Sequence, residues 1–422
     1  MGATRRGSAR RRAAGPLGGF LREEAALPPL LWLLLAGNGL VALVRYTGAP
    51  FLAVYVQART HLPPSGAGAV VGLSSLAGLA VAPLAGQWVD RAGRRAGLAL
   101  GSALEALAAA GLAVARGPAG FALAALGAGA AGMVAGVSYR ALLSDLVPEA
   151  LRTRIFGYNY WLLNVGATLG PLLGVRLGAA ASPLSWWLGA GAGAGMALLA
   201  WRAVPPGLGR RESDGGDARA GARPGLRAAF DLLAGEPRIA RFAAAAFFNG
   251  LAYSQLHTGL ALLVRSALPR GEAAYARLVA ANGLTVLLAQ PWLGRLLERR
   301  PRLGLVAGEL LFALAELGWW RAGRSEEAWL ALMVLFTLGE VFHSPALQSV
   351  AAGLAPPGLR ATTFSALGVV DGIAYGLGPA AGGLLLESAG TGALPLAMAS
   401  ASLLAGLLFL RLGDGGGRER IG

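Results

Sequence analysis

The sequence predicts an all-α membrane protein with twelve transmembrane helices in two six-helix halves related by a parallel repeat. Three observations carry this. Apolar residues make up 55% of the 422 positions and charged ones only 14%, with a mean hydropathy of +0.55; soluble domains carry about 25% charge. The chain divides into apolar runs of the ~20 residues that a helix needs to cross a bilayer. Separated pieces of the first half also recur in the second at one constant spacing.

The composition excludes several functions. With no cysteine there is no disulfide framework, thiol catalysis or cysteine metal site. Three histidines are too few for a histidine-based metal centre, so neither a metal nor a cofactor is expected, nor an enzyme. The net charge of +15 could suggest a nucleic-acid partner, but the 37 basic residues, all arginine, mostly sit in short stretches between apolar runs. That pattern follows the positive-inside rule and needs no nucleic acid.

The runs fall at 29–56, 66–89, 96–115, 119–141, 155–178, 184–203, 242–264, 274–294, 303–320, 328–350, 361–386 and 392–411. Their glycine and alanine content suits close helix approach in lipid. Residues 29–203 and 241–411 are the expected bundles, flanked by a basic tail (1–28), a hydrophilic linker (204–240) and a short tail (412–422). Placing the N-terminus in the cytoplasm puts 26 arginines on the inner side and seven on the outer. Both termini are therefore expected to be cytoplasmic, in a multi-pass cell-membrane protein. The run 29–56 is too long for the apolar region of a cleaved leader.

The repeat has an offset of 208 residues. Pro83 and Gly86 recur as Pro291 and Gly294, Asp90-Arg91 as Glu298-Arg299, and Pro148 and Arg152 as Pro356 and Arg360. Phe156 matches Phe364, and Gly170-Pro171 with Gly174 match Gly378-Pro379 with Gly382. In transporters built from such repeats, the substrate path runs between the halves near the midplane.

Between the second and third spans, Gly86, Asp90, Arg91, Gly93, Arg94 and Arg95 fit G-x-x-x-D-R-x-G-R-R. This resembles the loop signature of the major facilitator superfamily, and the resemblance extends over residues 29–411. It implies that Asp90 latches the loop side shut through Arg91 or Arg94 and the start of the eleventh span near Arg360. On the fifth span Gly157, Gly166, Gly170, Pro171 and Gly174 resemble the antiporter motif of that superfamily's drug exporters, with Val175 in place of the last glycine. Glycines at 166, 170 and 174 share one face, where they admit a close neighbour. The segments from Gly157 to Gly166 and from Asn282 to Pro291, and Thr337-Leu-Gly-Glu340, are similar to bacterial proton-driven multidrug exporters. The acidic–acidic–Arg-Phe signature of peptide transporters is absent from the first span. The superfamily's fourth-span arginine has no match, since that stretch reads Leu123-Ala-Ala-Leu-Gly127.

Charges at mid-span cost about 2.5–3.5 kcal/mol each and are functional candidates by default. Asn38 and Arg45 share a face of the first span, beside Tyr46; Asn249, Tyr253 and His257 form a stripe on the seventh. Glu340 and His343 lie one turn apart on the tenth, and Asp371 is near the middle of the eleventh. Packing roles are the simpler reading for both histidines. The resemblance implies that spans one, four, seven and ten line the cavity. Glu340 is then the first choice for proton carrier and Asp371 the second, as partner of Arg45; Glu105, Glu309 and Glu316 receive no role. The resulting expectation is a monomeric transporter exchanging small organic molecules for protons by alternating access. A nutrient symporter is the nearest alternative, and a non-transporting sensor on the same fold a distant one.

Overall fold

The computed structural model describes residues 27–208, 226–293, 296, 300–356 and 359–412, and all regular structure within them is helical. The basic tail through residue 26, the linker core 209–225, the tail from 413, and Gly294, Glu298 and Arg299 of the second loop copy lie outside the described residues. The chain opens with α1 (Pro29–Gly48), a 3-10 turn (Ala49–Phe51) and α2 (Leu52–Thr60). Next come α3 (Pro64–Ala92), α4 (Arg94–Val114), α5 (Pro118–Leu146), α6 (Glu149–Arg176) and α7 (Leu184–Ala203). A short α8 (Leu226–Gly235) leads to α9 (Pro237–Tyr253), a 3-10 turn (Ser254–His257) and α10 (Gly259–Ala267). The rest is α11 (Gly271–Leu293), α12 (Pro301–Arg321), α13 (Glu326–Leu354), α14 (Arg360–Ser388) and α15 (Ala393–Leu410).

Helix ends follow local chemistry. Proline opens α1, α3, α5, α9 and α12, where its missing N–H costs nothing. Gly93 ends α3 at φ 89°, a conformation glycine adopts without strain. Ser325 caps α13 by accepting from the Ala328 N–H at 3.2 Å, with Glu326 and Glu327 favoured by the helix dipole.

Eight of the helical stretches are long and apolar enough to cross a membrane: α1–α2 together, α3, α4, α5, α12, α13, α14 from Thr362, and α15. The other four expected runs fall short for identifiable reasons. Glu149, Arg152, Arg154, Asn159 and Asn164 make α6 polar; glycines and tryptophans dilute α7; Glu272, Arg277, Asn282 and Gln290 do the same in α11. The run at 242–264 is broken into α9 and α10. This break falls where the repeat places it, since His257 stands 208 residues after Ala49 in the break of the first run.

Helix contacts run through residues without side chains. On α6, Gly166 lies against Leu43, Gly170 against Tyr46 and Gly174 against Thr47, so its glycine face receives α1. Between the halves, α3 and α14 run antiparallel: Pro64 meets Gly383, Gly68 meets Pro379, and Gly72 meets Gly376, backbone against backbone. Further along the same stripe of α14, Gly372 touches only the Leu79 side chain, and Gly368 has nothing within 4 Å of where a Cβ would stand. Backbone contact between α3 and α14 is therefore tightest at the end away from the Gly86–Arg95 loop and loosens toward it. An apolar cluster seals the touching end, with Phe51 and Val54 of the first half against Leu260, Leu263 and Tyr275 of the second. Phe51 and Tyr275 meet edge to face at 5.7 Å.

A Cβ on Gly170 would lie 2.5 Å from the Tyr46 Cβ, whereas one on Gly157 would meet open space. Gly170→Leu is expected to destabilise the protein by about 1–3 kcal/mol through overpacking. Gly157→Leu should be neutral or slightly stabilising, because leucine is the better helix former. Thermal unfolding of the purified variants checks the pair, and equal melting temperatures would refute the tight α1–α6 seam.

Candidate functional site

Where the halves meet, Glu340 on α13 is the central polar group. Its Oε2 accepts a hydrogen bond from Asn282 Nδ2 on α11 at 2.8 Å, and the same amide donates to Thr337 Oγ1 at 3.0 Å. The Tyr253 hydroxyl of α9 also bonds Glu340, and Tyr46, Tyr160 and Tyr375 lie within its electrostatic reach. Tyr46 and Tyr160 come from the first half and Tyr253 and Tyr375 from the second, so both halves bring tyrosines toward one carboxylate. Tyr253 packs on Phe336 and Phe312 with centroids 5.8 and 6.2 Å away, which fixes its ring.

Several expected groupings are not formed. Arg45 does not pair with Asp371; its guanidinium bonds Glu105 Oε1 on α4 at 2.9 Å. The long side chain reaches sideways into its own half, where a carboxylate is within range. Asp371 makes no ion pair among the described residues. Glu340 and His343, one turn apart, diverge: His343 Nδ1 lies 3.1 Å from Glu309 Oε1 on α12. Asn249 also faces Glu309, inside the second half and away from Glu340. The stripe of Asn249, Tyr253 and His257 ends at Tyr253, because the 3-10 turn rotates His257 off the helical face; its Nδ1 is buried without a partner. Asn38 turns to α6, donating to Asn159 Oδ1 at 2.8 Å, an oxygen shared with the Tyr139 hydroxyl at 3.1 Å.

At the loop, Arg94 organises the charges. It bonds Asp90 Oδ1 at 2.7 Å, four residues back, and Asp145 Oδ2 at the end of α5 at 3.0 Å. Arg95 stacks over Trp201 at 4.3 Å, and Arg91 is exposed. Arg94, at the start of α4, thus ties α3 to α5 within the first half; the Arg360 side chain lies outside the described residues.

Sequence reasoning missed Asn159, Asn282, Tyr160 and Tyr375 as polar contacts, and Glu105, Glu309 and Asp145 as partners. Asn159 and Asn282 lie in or at the head of the exporter-like segments. Glu105 and Glu309 gave one usable signal, their position in apolar runs; Asp145 lies just beyond one.

A sequence profile described as the Major Facilitator Superfamily matches residues 34–271 and 245–420. The chain belongs to that superfamily, and the protein is a membrane transporter of its type. Among its relatives, the uncharacterized transporter YqjV of Bacillus subtilis (strain 168) is 23% identical over 376 residues, covering 88% of this chain and 90% of YqjV. YdeE of Escherichia coli (strain K12), likewise uncharacterized, is 25% identical over 64% of this chain and 67% of its own length. Solved structures share the fold: a POT family transporter in complex with 5-aminolevulinic acid has a TM-score of 0.76 at 14% identity, covering 91% of this chain and 96% of that one. The nucleoside transporter NupG has a TM-score of 0.73 at 16% identity, covering 91% and 99%.

Because Asp90 and Asp145 share Arg94, whose side chain is only 14% exposed, either can be lost while the other still serves it. The double variant Asp90→Asn/Asp145→Asn should therefore destabilise by more than the sum of the singles, by about 0.5–3 kcal/mol. A thermal-unfolding cycle measures this, and strict additivity would mean that Arg94 does not couple the two helices.

Proposed function

We propose that the chain exports small organic molecules across the cell membrane in exchange for protons, working as a monomer with twelve spans and both termini in the cytoplasm. The observation that carries this reading is Glu340, a carboxylate between the halves with tyrosines from both around it. A carboxylate among aromatic faces favours a cationic organic substrate, by charge and by cation–π attraction. The excess of arginine on the loop side assigns that side to the cytoplasm. The splayed end of α3 and α14 then faces the cytoplasm, as an exporter awaiting its substrate requires.

In this cycle a substrate entering from the cytoplasm meets Glu340 carrying a proton. The proton leaves to the cytoplasm, and the carboxylate pairs with the substrate while Asn282 keeps its orientation. Rocking of one half against the other opens the outer side. There a proton displaces the substrate and returns with the carboxyl group. One-for-one exchange of a proton for a monovalent cation moves no net charge, so the pH gradient drives it, by about 1.4 kcal/mol or tenfold in substrate per pH unit. The glycine face of α6 against α1 resembles the antiporter motif of exporters and accords with the same direction.

Glu340→Gln is expected to lose uncoupler-sensitive efflux of a cationic dye and to keep energy-independent exchange in vesicles. Uncoupler-sensitive efflux at the wild-type rate would place the proton on another group, with Asp371→Asn the next variant. Uncoupler-sensitive uptake by the unaltered protein would reverse the proposed direction and favour a symporter.

A further inference from the structure

A cavity of about 340 Å³ lies inside the first half, between α1, α4, α5 and α7, and no residue of the second half lines it. Its walls are mainly apolar, with Val41, Val44, Leu52 and Leu112 among them. It is nonetheless equipped for hydrogen bonding. Ser185 and Trp186 at the start of α7 line it, are 2% and 8% exposed, and leave the Ser185 Oγ and the Trp186 Nε1 buried without partners. The Arg45 guanidinium, with five N–H donors, makes one side-chain bond, to Glu105, and its side chain stays 56% exposed.

The repeat shows that this space is not a default of the fold. In the second half, 208 residues on, Phe336 stands for Ala128, Met333 for Ala125 and Tyr253 for Arg45. Those large side chains pack there, with Phe312 and Phe336 centroids 4.5 Å apart and Tyr253 on both. The first half has instead small residues and an ion pair, so one half is filled and the other hollow.

We propose that the cavity binds an amphipathic monocarboxylate at a site apart from the Glu340 pathway. Its free groups are chiefly donors, and Glu105, the one charged acceptor, is already engaged by Arg45, so the complementary ligand is an acceptor. A planar carboxylate matches the open fork of a guanidinium. The apolar body lies along Val41, Val44, Leu52 and Leu112, and the Trp186 N–H and Ser185 hydroxyl, both covered in this structure, turn to the ligand's oxygens on binding. The site does not depend on the exporter reading, since none of its residues contacts Glu340. It does bear on α1, whose Arg45 faces the cavity while the adjacent Tyr46 faces Glu340.

The test is binding of octanoate to the full-length protein in nanodiscs, read by thermal shift and tryptophan fluorescence, with octanamide as the uncharged analogue. Saturable octanoate binding is expected, with octanamide at least about tenfold weaker. Trp186→Phe, which keeps the ring and removes the N–H, should weaken octanoate several-fold, and Glu340→Gln should leave its Kd unchanged. Arg45→Gln/Glu105→Gln removes both charges together and avoids a lone buried carboxylate; it should abolish the preference for octanoate over octanamide. Octanamide binding as tightly as octanoate, the preference surviving in the double variant, or no saturable binding would overturn the proposal. Loss of octanoate binding in Glu340→Gln would place the ligand in the translocation path and overturn it equally. Failure of that variant to carry out uncoupler-sensitive efflux, by contrast, concerns the exporter reading alone.

Discussion

Helices in lipid gain little from hiding apolar surface from one another, so they must associate by close packing. In this protein that constraint is met by backbone contact through glycine. The α3–α14 seam joins the two halves with main chain against main chain from Pro64 and Gly383 to Gly72 and Gly376. The α1–α6 seam uses Gly166, Gly170 and Gly174 in the same way within the first half. Side chains inserted at these points would push the helices apart by ångströms. The two seams set where α1 and α14 lie, and with them Tyr46 and Tyr375.

The same medium decides where charge can sit. A polar group in the bilayer interior has no water to turn to and must find a partner within the protein. Arg45 finds Glu105 and Asn38 finds Asn159, while His343 Nδ1 lies 3.1 Å from Glu309 Oε1 without a formed hydrogen bond. Breaking a buried pair by removing one member is costly, because the other charge is left behind. Glu340 differs from these carboxylates. Its partners are an amide and a tyrosine rather than an arginine, so no opposite charge is held against it. A group in that position can exchange a proton for a cation without first dissolving an ion pair, and this sets it apart from Glu105.

The sequence made the helical, membrane-spanning architecture and the repeat legible, because both rest on signals local in the chain: apolar runs and a constant offset. Even the break in the seventh run can be located from the repeat once the first is known. In the loop, Asp90 and Arg94 are four residues apart across the Gly93 break, and they meet. Pairing across helices was otherwise not legible. Arg45 was assigned to Asp371 on the assumption that intramembrane charges meet in the central cavity. A flexible arginine instead takes the nearest carboxylate, and that nearness depends on how α1 is rotated against α4. The divergence of Glu340 and His343 has a similar origin: on a helix, a three-residue step can separate two faces when a different neighbour packs on each.

The two halves share a plan but differ in their interiors. The second is packed with rings, Trp319 stacked on Trp329 and Phe312 tilted against Phe336, and buries Glu309 and Glu316. The first has small residues at the corresponding places and leaves a cavity beside Arg45. A dense interior resists deformation, while a hollow one permits a helix to shift without displacing its neighbours. In the first half that helix is α1, which ends in a proline-bearing 3-10 turn, carries Tyr46 toward Glu340 and Arg45 toward Glu105, and is clasped by α6. A rigid second half that holds the carboxylate, moving against a first half whose α1 has room to adjust, is the division of labour this packing favours.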